Sequence, residues 1–267
     1  MITVSVLGIP HDKNSSYLQG ASEAPRAIRR ELYSDVYSSW SETGIDLCDR
    51  RLIDQGDVRF DEERDDWTAI EEEIAAVLDG GAPLICLGGD HAITHPILRA
   101  VHRKYADLTI VHIDAHPDIY DCYQGNPRSH TSPFARIMEE KLATRLIQIG
   151  LRTINAHHRE QFERFGVEPI EARHWHHGCR LAISTPVYIS LDIDGIDPAY
   201  APGVAHREPG GLSTRDVLDL IQSIDQPIIG ADIVEYNPRC DISNQTAIVA
   251  AKLVKELAGM MITTASR

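Results

Sequence analysis

Positive charge is scarce in this sequence: 26 Lys and Arg stand against 40 Asp and Glu among 267 residues, a formal net charge of -14 at pH 7. A surface of that sign attracts neither nucleic acid phosphates nor anionic lipid headgroups, so no nucleic acid and no membrane is expected as a partner. Apolar runs of ~18 to 20 residues, the length of a membrane span, are also missing. The opening Met1-Ile2-Thr3-Val4-Ser5-Val6-Leu7 carries neither the basic segment nor the cleavage site of a secretory signal, and a cytoplasmic protein is expected. Cysteine is sparse and unpatterned. Cys48, Cys86, Cys122, Cys179 and Cys240 form no C-x-x-C, which argues against a disulfide framework and against a thiolate zinc site. With no Gly/Ser/Pro linker, low-complexity tract or internal repeat, residues 1–267 are assigned to a single domain, long enough to bury a core.

What is present reads as an α/β protein. Short apolar runs at Ile2–Leu7, Pro83–Leu87, Leu108–Ile113, Arg145–Ile149, Pro186–Ile193 and Pro227–Val234 alternate with segments of helical period. Two of these, Glu62–Leu78 and Ser243–Leu257, carry one apolar face each and predict amphipathic helices. The acidic stretch Asp61–Asp66 is read as the charged start of the first. Strands apolar on both faces imply one three-layer α/β domain, a mostly parallel sheet with helices on both faces. In such sheets the active site lies at the carboxyl ends of the strands, so the polar residues after each run are where chemistry is expected.

Histidine is the unusual component, 13 residues in so acidic a chain. After Leu108–Ile113 comes Asp114-Ala115-His116-Pro117-Asp118, whose alternate positions point to one side of an extended chain. After Pro186–Leu191 comes Asp192-Ile193-Asp194, with two carboxylates on one face, and after Pro83–Leu87 comes Gly88-Gly89-Asp90-His91, where two glycines allow a tight turn that presents His91. A lone Asp-x-Asp at a strand end is most often a cap or a turn. Three such sites on three strand ends are different, because aspartates gathered near a core repel one another unless cations neutralise them. Four carboxylates with two imidazoles suit two divalent metals, the oxygen ligands favouring manganese or magnesium and the imidazoles leaning toward manganese, iron, nickel or zinc.

These three motifs, together with Gly8-Ile9-Pro10, Ala201-Pro202-Gly203, Glu208-Pro209-Gly210-Gly211-Leu212 and Val234-Glu235-Tyr236-Asn237-Pro238, resemble those of the ureohydrolases, the arginase and agmatinase family, over nearly the whole chain. The resemblance implies two Mn2+ ions, with other divalent metals possible, and hydrolysis of a guanidino group to urea and an amine. It also implies His91, Asp114, Asp118 and Asp192 at one metal, His116, Asp114, Asp192 and Asp194 at the other, and a homo-oligomer. Asp118 would further accept a hydrogen bond from the nucleophile, His130 would shuttle protons to the leaving amine, and Glu235 would clamp the guanidinium through paired charge-assisted hydrogen bonds.

The motif Asp118-Ile119-Tyr120-Asp121 leans toward agmatinases. In Gly150-Leu151-Arg152-Thr153-Ile154-Asn155 the free-arginine enzymes would carry an acidic residue for the substrate's α-ammonium, and Asn155 is neutral. The expectation is therefore an agmatinase-like enzyme acting on a small-molecule guanidine, with free arginine a poor substrate. The alternative is an arginase-type enzyme acting on arginine in another context, such as a peptide, or a guanidino-acid hydrolase. A single-zinc deacetylase of the same fold is disfavoured by the full set of six ligands. His206 and Arg207 are candidates for a cationic element at the pocket mouth that would favour an acidic or peptidyl guanidine. His174-Trp175-His176-His177 is read as a solvated loop.

Overall fold

The structure, a computed structural model, describes residues 2–48, 51–176 and 178–265. Eight strands, β1 (Val4–Gly8), β2 (Leu52–Asp57), β3 (Leu84–Leu87), β4 (Thr109–Ile113), β5 (Arg145–Leu151), β6 (Glu168–Glu171), β7 (Val187–Asp192) and β8 (Ile228–Val234), form one sheet in the order β2-β1-β3-β8-β7-β4-β5-β6. Every neighbouring pair is parallel, as strand-helix-strand alternation requires. Among the described residues seven α-helices cover it: α1 (Ala24–Leu32), α2 (Asp66–Asp79), α3 (Thr94–His102), α4 (Pro133–Glu139), α5 (Ala156–Phe165), α6 (Thr214–Gln222) and α7 (Gln245–Ala265).

Strand alternation divides the core in two. Val111 and Ile113 of β4 and Ile189 and Leu191 of β7 pack with Ile28 of α1, Ile221 of α6 and Val254 and Leu257 of α7. Ile110 and Tyr188, one position along on the same strands, face Ile70 and Ile74 of α2, Ile97 of α3 and Phe134 of α4. The sheet is thus apolar on both faces, and the polar chain ends at its rim carry whatever chemistry there is.

The edge strands β2 and β6 were not expected. Leu52–Asp57 is nearly all exposed and Glu168–Glu171 has no buried residue, so neither carries the apolar signature of a buried strand. The helix placed at Glu62–Leu78 begins only at Asp66, where Asp65 caps it by accepting the Thr68 N–H; Asp61 instead accepts from the N–H groups of Glu63 and Arg64 in a turn before the helix. The final helix starts at Gln245 because Ser243 and Asn244 hold left-handed φ values of 52° and 58°. His174, at the end of a 3-10 turn over Ala172–His174, and His176, in the loop after it, are exposed, His177 lies outside the described residues, and no candidate metal group among the described residues includes either of the first two.

One feature of the order places the site. The chain leaves β3 on one side, builds β4, β5 and β6 on the other, and then fills the interval with β7 and β8. The carboxyl ends of β3, β8, β7 and β4 therefore stand side by side at the centre of the sheet.

Candidate metal centre and active-site cavity

Each of those four ends delivers a motif. Gly89 follows β3 where an added Cβ would lie 1.6 Å from the His11 carbonyl oxygen, so only glycine allows the chain past, and Asp90 then caps the turn through the Ala92 N–H. That turn buries His91 completely. At the end of β4, Asp114 accepts the His116 N–H at 2.6 Å, and Asp118 turns the chain with a left-handed φ of 45°. At the end of β7, Asp192 accepts the Asp194 N–H at 2.8 Å, which curls the chain so that both carboxylates stay at the strand end. At the end of β8, Glu235 also takes a left-handed φ, 62°.

The six residues converge. His91 Nδ1 lies 3.2 Å from Asp114 Oδ2, 3.1 Å from Asp118 Oδ2 and 3.2 Å from Asp192 Oδ2. His116 Nδ1 lies 3.1 Å from Asp194 Oδ2 and 3.4 Å from Asp114 Oδ1. Among these six residues two groups of potential ligand atoms result, His91, Asp114, Asp118 and Asp192 in one and Asp114, His116 and Asp194 in the other; Asp114 is common to both, whereas Asp192, expected at both metals, falls in the first alone. The imidazole atom aimed at three carboxylates, His91 Nδ1, is buried and makes no hydrogen bond. An orphaned nitrogen nearly equidistant from three carboxylate oxygens is what a cation-binding donor set leaves when its partners are ligands to the same ion. Burial, then Asp194 and Asp114, push Asp192 well above the usual carboxylate range, and burial pushes Asp194 up to about 6 with His116 opposing. The donor set fits divalent cations, whose charge offsets that repulsion.

Further residues hold these donors in place. His112, which none of the three motifs contains, sits two positions before Asp114 and so on the same face of β4. Its Nε2 lies 2.8 Å from Asp114 Oδ2, and its Nδ1 faces Gln148 Nε2 at 3.0 Å. Gln148 Nε2 also donates to the Pro117 carbonyl at 2.6 Å, which fixes the amide orientation. An amide nitrogen can only donate, so His112 Nδ1 accepts and its Nε2–H donates to Asp114. His112 is therefore a positioning group, a role that its place in a metal-type cluster would hide. His91 Nε2 is held by Ser190 Oγ at 3.0 Å, and Ser190 in turn donates to the buried Asp232 at 2.7 Å. These outer partners fix ring orientation, as ligating histidines require.

Beside the cluster opens a cavity of about 260 Å3 whose wall includes Asp118, Asp192, Asp194, His130, His206 and Glu235. Glu235 Oε1 accepts the His91 N–H at 2.8 Å and lies 2.9 Å from His130 Nδ1. Burial works against its charge, but His130 and the His91 N–H outweigh it and hold Glu235 below the usual carboxylate range. Burial likewise pulls His130 down, and Glu235, Asp118 and Asp90 outweigh it, raising His130 to about 9. Ser16, in the loop before α1, reaches His130 Nε2 with both its N–H, at 3.1 Å, and its Oγ, at 2.8 Å.

Of the three residues proposed for selectivity, the structure places one on the cavity wall and two away from it. Asn155 is not a receptor for a substrate amine: it caps α5, where its Oδ1 accepts the His158 N–H and its Nδ2 donates to the Tyr120 hydroxyl. Arg207 stays off the cavity wall because its guanidinium is spent on the carbonyls of Pro202 and Cys240. His206 does line the cavity, its ring 5.7 Å from that of His130 and 5.8 Å from that of His116, but burial lowers its pKa, so it offers a neutral face and no cation.

Residues 2–259 match the family model described as the Arginase family. The chain is 46% identical to arginase 1, mitochondrial, of Arabidopsis thaliana over 96% of this chain and 80% of that protein. It is 32% identical to an agmatinase of Bacillus anthracis over 95% of this chain and 90% of that one. The solved structure of an arginase from Medicago truncatula superposes with a TM-score of 0.91 at 42% identity, covering 97% of this chain and 87% of the other.

Proposed function

Because the chain belongs to the arginase family, we propose that it hydrolyses the guanidinium of L-arginine to urea and ornithine, with two Mn2+ ions held by His91, Asp114, His116, Asp118, Asp192 and Asp194. The observation that carries the reading is Glu235, a buried and ionised carboxylate on the same cavity wall as three of the ligand aspartates. Its Oε1 is engaged by the protein, which leaves Oε2 for a planar cation, and a guanidinium meets a carboxylate through paired charge-assisted hydrogen bonds. The substrate carbon is thereby brought against the ligand cluster.

The ions, when bound, supply a water acidic enough to be deprotonated near neutral pH. Overall, water adds to the guanidinium carbon, the C–N bond to the side chain breaks, and the leaving amine must gain a proton. His130 is placed to carry it. The Ser16 N–H can only donate, so in the neutral ring Nε2 offers its lone pair and the proton rests on Nδ1, toward Glu235. A protonated Nε2 would donate instead to Ser16 Oγ, so one serine can accommodate both states of the ring.

Arginine, rather than agmatine, is supported by the higher identity to plant arginases and by the two corrections above. The neutral Asn155 disfavoured arginine only if it faced the substrate, and Arg207 favoured an acidic or peptidyl guanidine only if it reached the cavity. Urea release by the purified, manganese-loaded protein tests the reading directly: kcat/KM should be higher for L-arginine than for agmatine. The reverse order returns the agmatinase reading, and no urea from either removes both.

A further inference from the structure

A carboxylate in the middle of a buried strand is costly, and β8 carries one: Asp232, between Ala231 and Ile233, has no exposed surface. It meets three hydroxyls and, among the described residues, no cationic side chain. Its Oδ1 accepts from Ser190 Oγ at 2.7 Å, and its Oδ2 accepts from the Tyr188 hydroxyl at 2.8 Å and from Thr94 Oγ1 at 3.0 Å. The sheet builds this cradle. Ser190 stands directly opposite Asp232 in the pairing of β7 with β8, and Tyr188 stands opposite Gly230, where an added Cβ would lie 3.0 Å from the tyrosine ring. Glycine there leaves room for the ring whose hydroxyl reaches Asp232. Burial raises the pKa of Asp232, and His91 and the three hydroxyls oppose it. Each hydroxyl has a single proton and spends it here, so the carboxylate is an acceptor on every side.

Ser190 is thereby polarised in one direction. With its proton on Asp232, its oxygen can only accept from His91 Nε2 at 3.0 Å, so that nitrogen carries the ring proton and Nδ1 keeps its lone pair. The opposite tautomer has an attraction of its own. His91 Nδ1 faces the carboxylates of Asp114, Asp118 and Asp192 at 3.2, 3.1 and 3.2 Å, and these draw a proton onto it. A proton at Nδ1 would occupy the lone pair that a cation needs. Asp232, two hydrogen bonds from the ring, pulls the other way.

We infer that Asp232 is a positioning residue for the metal centre: through Ser190 it holds the proton of His91 on Nε2 and leaves Nδ1 open to the ion. This rests on the reading of the cluster as a metal centre, and it gives the buried charge in β8 a task, the choice of a tautomer. A carboxylate bonded to a ligating histidine raises the basicity of the ring and its affinity for metal, and here the link is longer by one hydroxyl.

Asp232→Asn tests the relay with an isosteric side chain, and the cradle fixes how the amide must sit. Tyr188 and Thr94 both donate to Oδ2, so the carboxamide oxygen stays there and its NH2 turns to Ser190. Ser190 then accepts from the amide and gives its own proton to His91 Nε2, which moves the ring proton to Nδ1. Manganese affinity, measured against a competing chelator, should weaken by about 10- to 100-fold. The metal-free variant should nevertheless melt at the same temperature or higher, because a buried charge has been removed. A residue that only packs would lower the melting temperature and leave His91 as it was. A 15N spectrum of the metal-free protein should show a proton on His91 Nε2 in the unmodified chain and none in the variant. Unchanged manganese affinity, or an Nε2 proton retained in the variant, would overturn the inference. Ser190→Ala decides the matter should Asp232→Asn not fold: it cuts the link and should weaken manganese binding by a similar factor, and equal affinity refutes the relay. A protein that binds no manganese in any form defeats the metal centre and this inference with it, whereas equal binding in all three forms defeats this inference alone.

Discussion

Glu235→Gln separates the charge of this residue from its structural hydrogen bonds. Glu235 Oε1 accepts from the His91 N–H at 2.8 Å and lies 2.9 Å from His130 Nδ1, and the carboxamide oxygen of glutamine can keep both places. The reversed amide would set an NH2 group against a backbone N–H, so the orientation is determined. What changes is the other end, where Oε2 becomes a donor facing a cation that has only donors to offer. Two hydrogen bonds between charged partners are lost, each worth ~1.5 to 3 kcal/mol, and kcat/KM should fall about 100- to 10,000-fold. Steady-state urea release under saturating manganese gives the ratio, and metal content and melting temperature measured beside it should match the unmodified protein, since no ligand and no core contact is touched. A loss of less than threefold would remove Glu235 as the guanidinium anchor. A large loss with metal also missing would show instead that Glu235 acts through His91.

Two further outcomes follow from the geometry. His112→Phe keeps a ring packed 4.0 Å from Phe134 but deletes the donor that orients Asp114, and manganese affinity measured against a competing chelator should weaken by about 10- to 100-fold; unchanged affinity would make His112 a packing residue only. Glu42, gripped by Arg215 at 2.7 and 2.9 Å and then by Gln222 and Lys252, has its pKa lowered from 4.5 to about 2, so its stabilising effect is complete above pH 4.5 and disappears as pH falls toward 2. Its side chain is 35% exposed, so solvent screening limits the contribution to about 1 kcal/mol. Denaturant unfolding of Glu42→Gln should show that deficit at pH 7 and a shrinking one below pH 4, whereas a deficit independent of pH would refute the charge argument.

Much of this was legible in the order of residues. The central strands are apolar on both faces and punctuated by Gly, Asp and Pro, so their number and position could be read from local pattern, and each of the three metal-type motifs directly follows such a run. The exposed edge strands β2 and β6 were not legible, because an edge strand is held by backbone pairing to one neighbour, and that leaves no hydrophobic period in its side chains. His112 was half legible: the period of two puts it on the same face as Asp114, but only Gln148, 36 residues away on β5, decides that it donates and does not ligate.

By itself the sequence determined the fold class and the strand ends at which candidate ligands gather, since both follow from residue types at short spacing, whereas Glu235 after the last strand stood out only through the family resemblance. Tertiary structure alone decided which strand ends are neighbours and which polar side chains are free to meet a substrate. The first depends on β7 and β8 entering the sheet between strands formed earlier in the chain, a long-range choice that no local period encodes. The second depends on competition for hydrogen bonds: Asn155 is consumed by a helix cap and Arg207 by two carbonyls.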